Sequence, residues 1–209
     1  MLFITWLAHK KLKGFKTFQH HKNKGFPKPS QRFFMEETKK IYLGAGCFWC
    51  TEAVFKLFPG IKKITPGYAG GHVKNPTYKE VCSGKTGHAE VAMIEYSASE
   101  ITLEKLLQIY FAMHDPTSKN KQGADVGEQY RSIILYENDS DKTVIDEYIK
   151  KIGPEFKKPI LTEVRKLDEF YEAEDYHKNY YENNRFQPYC MLVIGPKLSK
   201  IRKEFGIKA

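Results

Sequence analysis

Two cysteines three positions apart, Cys47 and Cys50, bracket the aromatic pair Phe48-Trp49 in the run GAGCFWCTEAVF at residues 44–55. Several chemistries use such a pair: a metal knuckle, a redox dithiol, or a single nucleophile with a helper thiol. Two apolar cysteines can also simply pack. A cysteine in the first turn of a helix meets unpaired backbone N–H groups and the positive end of the helix dipole, and both favour the thiolate. Cys47 is therefore the candidate nucleophile, expected as a thiolate, and Cys50 is placed one turn on to trap an oxidised Cys47. A structural zinc site wants four ligands in paired knuckles. The remaining cysteines, Cys82 and Cys190, are isolated, so no metal is expected. Two bulky rings inside the motif make a poor docking surface for assorted disulfides and better suit the wall of a small apolar pocket. A general thiol–disulfide oxidoreductase stays open as the alternative on spacing alone.

The elements that must position this motif follow from periodicity. KIYLGAG (40–46) reads as a strand ending in glycines, and 47–58 as a helix stopped by Pro59-Gly60. A strand over 61–71 leaves through a Gly-rich loop, and Asn75-Pro76-Thr77 opens a short helix through Tyr78 and Val81. HAEVAMIEY (88–96) alternates as a strand, and apolar residues at 103, 106, 107, 110 and 111 make 101–114 an amphipathic helix. After a polar loop to Glu128 come a strand at 130–136, a helix at 141–152 and a strand at 159–167. FYEAEDYHKNYYENN (170–184) reads as one polar, aromatic-rich helix. The tail from Cys190 reads as a strand-like run and a closing helix. Alternating strands and helices predict an α/β (α+β) fold, a two-layer sandwich with one mixed, largely antiparallel sheet flanked by helices.

The net charge of +9 is a property of one end. Residues 1–34 hold eight of the 34 Lys and Arg and none of the 25 acids, so the rest carries 26 bases against 25 acids. A nucleic-acid partner would need a basic face on the folded part, and none is expected. No apolar run approaches the ~18 residues a membrane helix needs, so no membrane association is expected either. Residues 1–34 match neither a secretory signal, whose charges precede its apolar core, nor an Arg- and Ser-rich transit peptide. They read as a basic, disordered N-terminal extension, with a catalytic domain over 35–209. Four cysteines are too sparse for a disulfide scaffold and fit a cytoplasmic protein. Nothing demands an oligomer, and a monomer is expected.

Six segments in one order make the pattern specific: GCFWC (46–50), GYAGG (67–71), NPTYKEVCSGKTGHAE (75–90), HDPT (114–117), DVGEQYRS (125–132) and FYEAEDYHKNYY (170–181). Together they resemble the class A peptide methionine sulfoxide reductases, which reduce the S epimer of methionine sulfoxide. The resemblance runs from about residue 39 to 195. It implies that Cys47 attacks, that Phe48 and Trp49 hold the substrate methyl, and that Glu90 protonates the sulfoxide oxygen. It further implies that Tyr78 and Tyr130 hydrogen-bond that oxygen and that Asp125 belongs to the same polar network. The substrate would be methionine sulfoxide, free or in proteins. The reductant would be a thioredoxin-like dithiol, and no cofactor is implied.

These roles make independent sense. Attack on a sulfoxide sulfur piles negative charge on its oxygen, so a thiolate needs a proton donor across the S–O bond, and a carboxylic acid kept neutral by burial supplies it. Phenols stabilise the developing charge as an oxyanion site does. The attacking cysteine becomes a sulfenic acid, and a second thiol condenses with it. Many relatives resolve with a cysteine in a Gly-rich tail, with which Cys190 roughly aligns, but this chain lacks the glycines there and carries Cys50 where many relatives have a small residue. Cys50 is therefore the expected first partner of Cys47, with Cys190 passing the disulfide outwards. A strand through Val193 and Ile194 would resist any swing of Cys190. Cys82 is expected to pack. His88, His114 and His177 receive no catalytic role, and Glu174, Asp175 and Tyr181 are candidates for contacts behind the pocket.

Overall fold

Ile41, Leu43 and Ala45 alternate with Tyr42 along β1 (Thr38–Ala45), and this period of two decides which side of the sheet each residue faces. The structure, a computed structural model, describes residues 38–208; the expectation for residues 1–34 lies outside them. β1 runs antiparallel to both β3 (Ala89–Ser97) and β6 (Ser132–Tyr136), with Ile41 opposite Ile94 and Leu43 opposite Ile134. The outer strands are β2 (Ile61–Ala69) and β8 (Phe170–Glu172) on one side and β7 (Glu163–Lys166) on the other. The order is β7-β6-β1-β3-β2-β8. Among the described residues only β6 and β7 pair in parallel, so the sheet is mixed and largely antiparallel, as expected.

Ile41, Leu43, Ala92, Ile94, Ile134 and Tyr136 face a helical layer. That layer holds α1 (Phe48–Phe55), α3 (Leu103–Met113), α4 (Asp139–Ile152) and α6 (Gly195–Phe205). On the reverse face Tyr42, Val91, Met93, Ile133 and Leu135 form a smaller cluster under Leu167 and Phe170. The central strands therefore read as near-continuous apolar runs because both their faces are covered. A short helix, α2 (Tyr78–Cys82), is capped reciprocally by Thr77 and Glu80. Among the described residues no helix is long and apolar enough to cross a membrane.

Where β1 meets α3, one buried phenol ties the layers together. Tyr110 is fully buried; its hydroxyl donates to the Gly44 carbonyl at 2.9 Å and lies 2.8 Å from Ser132 Oγ. Gly44 stands three residues before Cys47, so this bond fixes the floor of the motif. Tyr110→Phe leaves buried polar groups short of a partner and should cost about 1–3 kcal/mol, read as a lower urea midpoint at unchanged slope.

Two sequence expectations need correction. Residues 170–184 are not one helix. They form β8, a single 3-10 turn at Asp175–His177, and the four-residue α5 (Tyr180–Asn183). β8 exists because β2 offers Gly67, which lets Phe170 and Tyr171 close against the strand. Asn179 then takes a left-handed conformation, φ 54°, that a helix cannot continue through. The run Cys190–Ile194 is not a strand but a wide helical turn leading into α6. Cys190 and Ile194 are buried while Met191 and Leu192 are exposed, a spacing of four, not two. The polar loop after α3 also holds a two-residue hairpin, β4 (Lys121–Gln122) with β5 (Asp125–Val126).

Candidate active site

Gly46 makes the bend that aims the motif. Its φ of +89° suits glycine, and a Cβ there would sit 2.7 Å from the Gln122 side chain. The chain then enters α1 with Cys47 as N-cap. Its carbonyl accepts from the N–H of Cys50 (3.1 Å) and Thr51 (3.4 Å), and its thiol makes no capping bond. The sulfur is therefore free to face a cavity of about 210 Å³.

Every expected substrate-side residue lines that cavity. Phe48 and Trp49 come from α1, Tyr78 from α2, and Glu90 from the start of β3. Asp125 opens β5, Tyr130 ends the turn before β6, and Tyr189, which the sequence reading did not single out, closes the wall. The expected resolving candidates, Cys50 and Cys190, stand behind it, both buried. Glu90 is 1% exposed, and its Oε2 accepts from the Phe48 N–H at 3.0 Å. Burial pushes the Glu90 carboxyl up to about 8, against the pull of the Phe48 N–H. It is a neutral acid at pH 7. Burial likewise pushes the phenols of Tyr78 and Tyr130 up, so both remain donors.

The aromatic wall is held from behind. Trp49 stacks on Tyr180 with ring centroids 3.6 Å apart and planes 3° from parallel. Its Nε1–H donates to His177 Nδ1 at 3.0 Å. Because Nδ1 accepts, neutral His177 carries its proton on Nε2, and burial pushes its pKa down, keeping it neutral. Glu174 accepts from Tyr68 Oη–H at 2.9 Å and from the Tyr78 N–H at 2.8 Å, tying α2 to the wall. Of the three candidates for such contacts only Glu174 makes them here; exposed Asp175 pairs with Lys178, and Tyr181 packs against the helical core. Cys82, expected to pack, is exposed. Among the described residues no group of three His, Cys, Asp or Glu side chains is placed to hold a metal ion.

The sequence model of the family described as peptide methionine sulfoxide reductase matches residues 39–209. A peptide methionine sulfoxide reductase MsrA from Sulfolobus acidocaldarius is 53% identical over 167 residues, covering 80% of this chain and 95% of that protein. The MsrA of Saccharolobus solfataricus is 50% identical over 79% of this chain and 94% of its own length. The chain belongs to the peptide methionine sulfoxide reductase family. Among solved structures, reduced Mxr1 from Saccharomyces cerevisiae superposes with a TM-score of 0.70 at 35% identity, covering 73% of this chain and 89% of that one. The same yeast protein in complex with Trx2 gives a TM-score of 0.52 at 25% identity, covering 70% and 88%.

In this reductase the acidity of the motif's two thiols does not follow the helix-terminus argument. Burial pushes the Cys47 thiol well above its ordinary value, with the neighbouring Cys50 and Glu90 adding to the rise. The neighbouring Cys47 and, after it, Lys197 hold the Cys50 thiol down to about 7. Against the thiolate expected at Cys47, desolvation there opposes the helix terminus, and Cys50 is the more acidic of the pair. A second hollow of about 360 Å³ shares Cys47 and Asp125 with the cavity and reaches Val193 and Lys197.

Proposed function

We propose that the reductase converts methionine-S-sulfoxide, free or in a polypeptide, to methionine with Cys47 as nucleophile and Glu90 as acid. One observation carries this reading: a buried, neutral carboxyl shares a cavity of about 210 Å³ with a cysteine sulfur and two aromatic side chains. Phe48 and Trp49 give the substrate methyl an apolar contact, and the rigid stacking of Trp49 holds that contact in place. With one Glu90 oxygen bound to the Phe48 N–H, the other is left for the sulfoxide oxygen, where Tyr78 and Tyr130 add donors.

As Cys47 attacks the sulfur, its proton passes to the Cys50 thiolate. The sulfoxide oxygen takes the Glu90 proton and moves to Cys47 as the S–O bond of the substrate and the new bond between the two sulfurs break. Methionine leaves, with Cys47 now a sulfenic acid, Cys50 a thiol and Glu90 a carboxylate. Cys50 then displaces the sulfenic hydroxyl as water and closes a disulfide. The nearness of Cys50 to Cys47 supports it over Cys190, although Cys190 sits in a helical turn rather than the stiff strand expected. Similarity to yeast Mxr1, solved in complex with Trx2, supports a thioredoxin-like dithiol as the reductant that reopens the disulfide. All the groups used belong to one chain, which supports a monomer, and free thiols at all four cysteines support a cytoplasmic setting.

The test is consumption of the S and R epimers of a blocked methionine sulfoxide with dithiothreitol. The S epimer alone should be reduced, and Cys47→Ser should form no methionine. Cys50→Ser, which also loses the acceptor of the Cys47 proton, should release one methionine per chain more slowly without reductant and form no disulfide. Reduction of insulin disulfides with indifference to sulfoxide would overturn the proposal in favour of a general thiol–disulfide oxidoreductase.

A further inference from the structure

Tyr189 joins the cysteine pair to a carboxylate. Its hydroxyl donates to Asp125 Oδ2 at 2.7 Å, and the same oxygen lies 3.9 Å from Cys50 Sγ. Since the phenol's single hydrogen is committed to Asp125, its oxygen is free to accept the hydrogen of a Cys50 thiol. The result is a three-member chain running from sulfur through phenol to carboxylate, with Asp125 returning to the cavity that holds Cys47. We propose that Tyr189 relays the proton of Cys50 to Asp125 as Cys50 closes the disulfide on the Cys47 sulfenic acid.

The inference rests on the reading of Cys50 as the resolving thiol, and the proton balance calls for it. After methionine leaves, Cys50 carries the proton taken from Cys47 and is a poor nucleophile until it loses it. The sulfenic hydroxyl must gain a proton to depart as water. Moving the Cys50 hydrogen to the phenol oxygen, and the phenol hydrogen to Asp125, gives Asp125 a proton to hand to that hydroxyl. The sum is Cys47–SOH and Cys50–SH giving a disulfide and one water, with no proton gained or lost. The other groups facing Cys50 do not offer this path. Lys197 is a cation, Cys190 is an uncharged thiol in a buried turn, and Glu90 stands on the substrate side.

Rapid quench of a single turnover without reductant separates the steps, counting methionine formed, which already consumes the Cys47 thiol, and then loss of the second thiol. Tyr189→Phe keeps the ring and removes the relay. At pH 7 it should slow thiol loss by about 100-fold and methionine formation far less, and thiol loss should recover as pH rises and Cys50 ionises unaided. Asp125→Asn, which leaves the ring in place, should slow thiol loss with the same recovery. Slowing that is flat with pH, or that falls equally on both steps, would assign Tyr189 a packing role and overturn the relay. Normal thiol loss in Tyr189→Phe while Cys50→Ser forms no disulfide would overturn the relay alone. A disulfide closing at the normal rate in Cys50→Ser would remove Cys50 as the resolving thiol, and the relay with it.

Discussion

At pH 7, Glu90→Gln should reduce methionine-S-sulfoxide about 100- to 10,000-fold more slowly than the wild type, the range for removing a positioned acid. Gln keeps an oxygen for the Phe48 N–H bond at 3.0 Å, so the start of α1 should stay in place while the transferable proton is lost. The pH profile carries the sign. A carboxyl held up to about 8 is neutral below that value and donates; as pH rises through about 8 it ionises and the wild-type rate should fall. The variant should lack that limb. Stability should fall with rising pH as well, over a lower window. Between the ordinary carboxylate value of 4.5 and about 8 the unfolded chain releases a proton that the folded chain retains, so wild-type stability declines with rising pH across that window. The Glu90→Gln variant should show no such slope. A variant equally active at pH 7, or a wild-type rate that climbs through pH 8, would contradict the assignment.

Gly67→Ala should cost roughly 3 kcal/mol or more, the upper end for forced overpacking, and lower activity with it. A Cβ at this position would lie 2.4 Å from the Tyr171 carbonyl oxygen and 2.4 Å from the Phe170 ring. The carbonyl is backbone, so the strain is relieved only by moving β8 away from β2, where Gly67 now faces Glu172. Two residues past β8 comes Glu174, which holds the Tyr78 N–H, and three further on comes His177, which holds the Trp49 indole. A displaced edge strand therefore loosens the aromatic wall as well as the sheet edge. Urea unfolding and steady-state activity on one preparation test both halves. A normal urea midpoint would show that the edge adapts.

The parts of the site visible in the sequence are those whose chemistry demands a residue type at a spacing. Cys47, Phe48 and Trp49 share one turn of α1. Glu90, Tyr78, Tyr130 and Asp125 fall in motifs whose order the family resemblance recognises. The strands β1, β3 and β6 and the helix α3 were equally plain, because their periodicity is strong and local. What escaped depends on distant partners. The run 170–184 has the composition of a polar helix, and only the space above Gly67 and the left-handed Asn179 divide it. Tyr189 lay beside a cysteine in a segment that reads as a strand, so nothing aimed its hydroxyl at Asp125. The charge state of Cys47 also escaped, because a helix terminus is legible in a sequence and depth of burial is not.

That division of roles between the two sulfurs has a consequence for survival under oxidative attack. Hydrogen peroxide consumes thiolates, so what matters is whether one atom is both ionised and reachable. Here Cys47 opens onto the cavity with burial pushing it towards its thiol form, while the more acidic Cys50 is only 1% exposed. Small oxidants in the medium therefore meet the less acidic of the two sulfurs first. An enzyme that mends oxidised protein is in this way spared much of the damage it exists to undo.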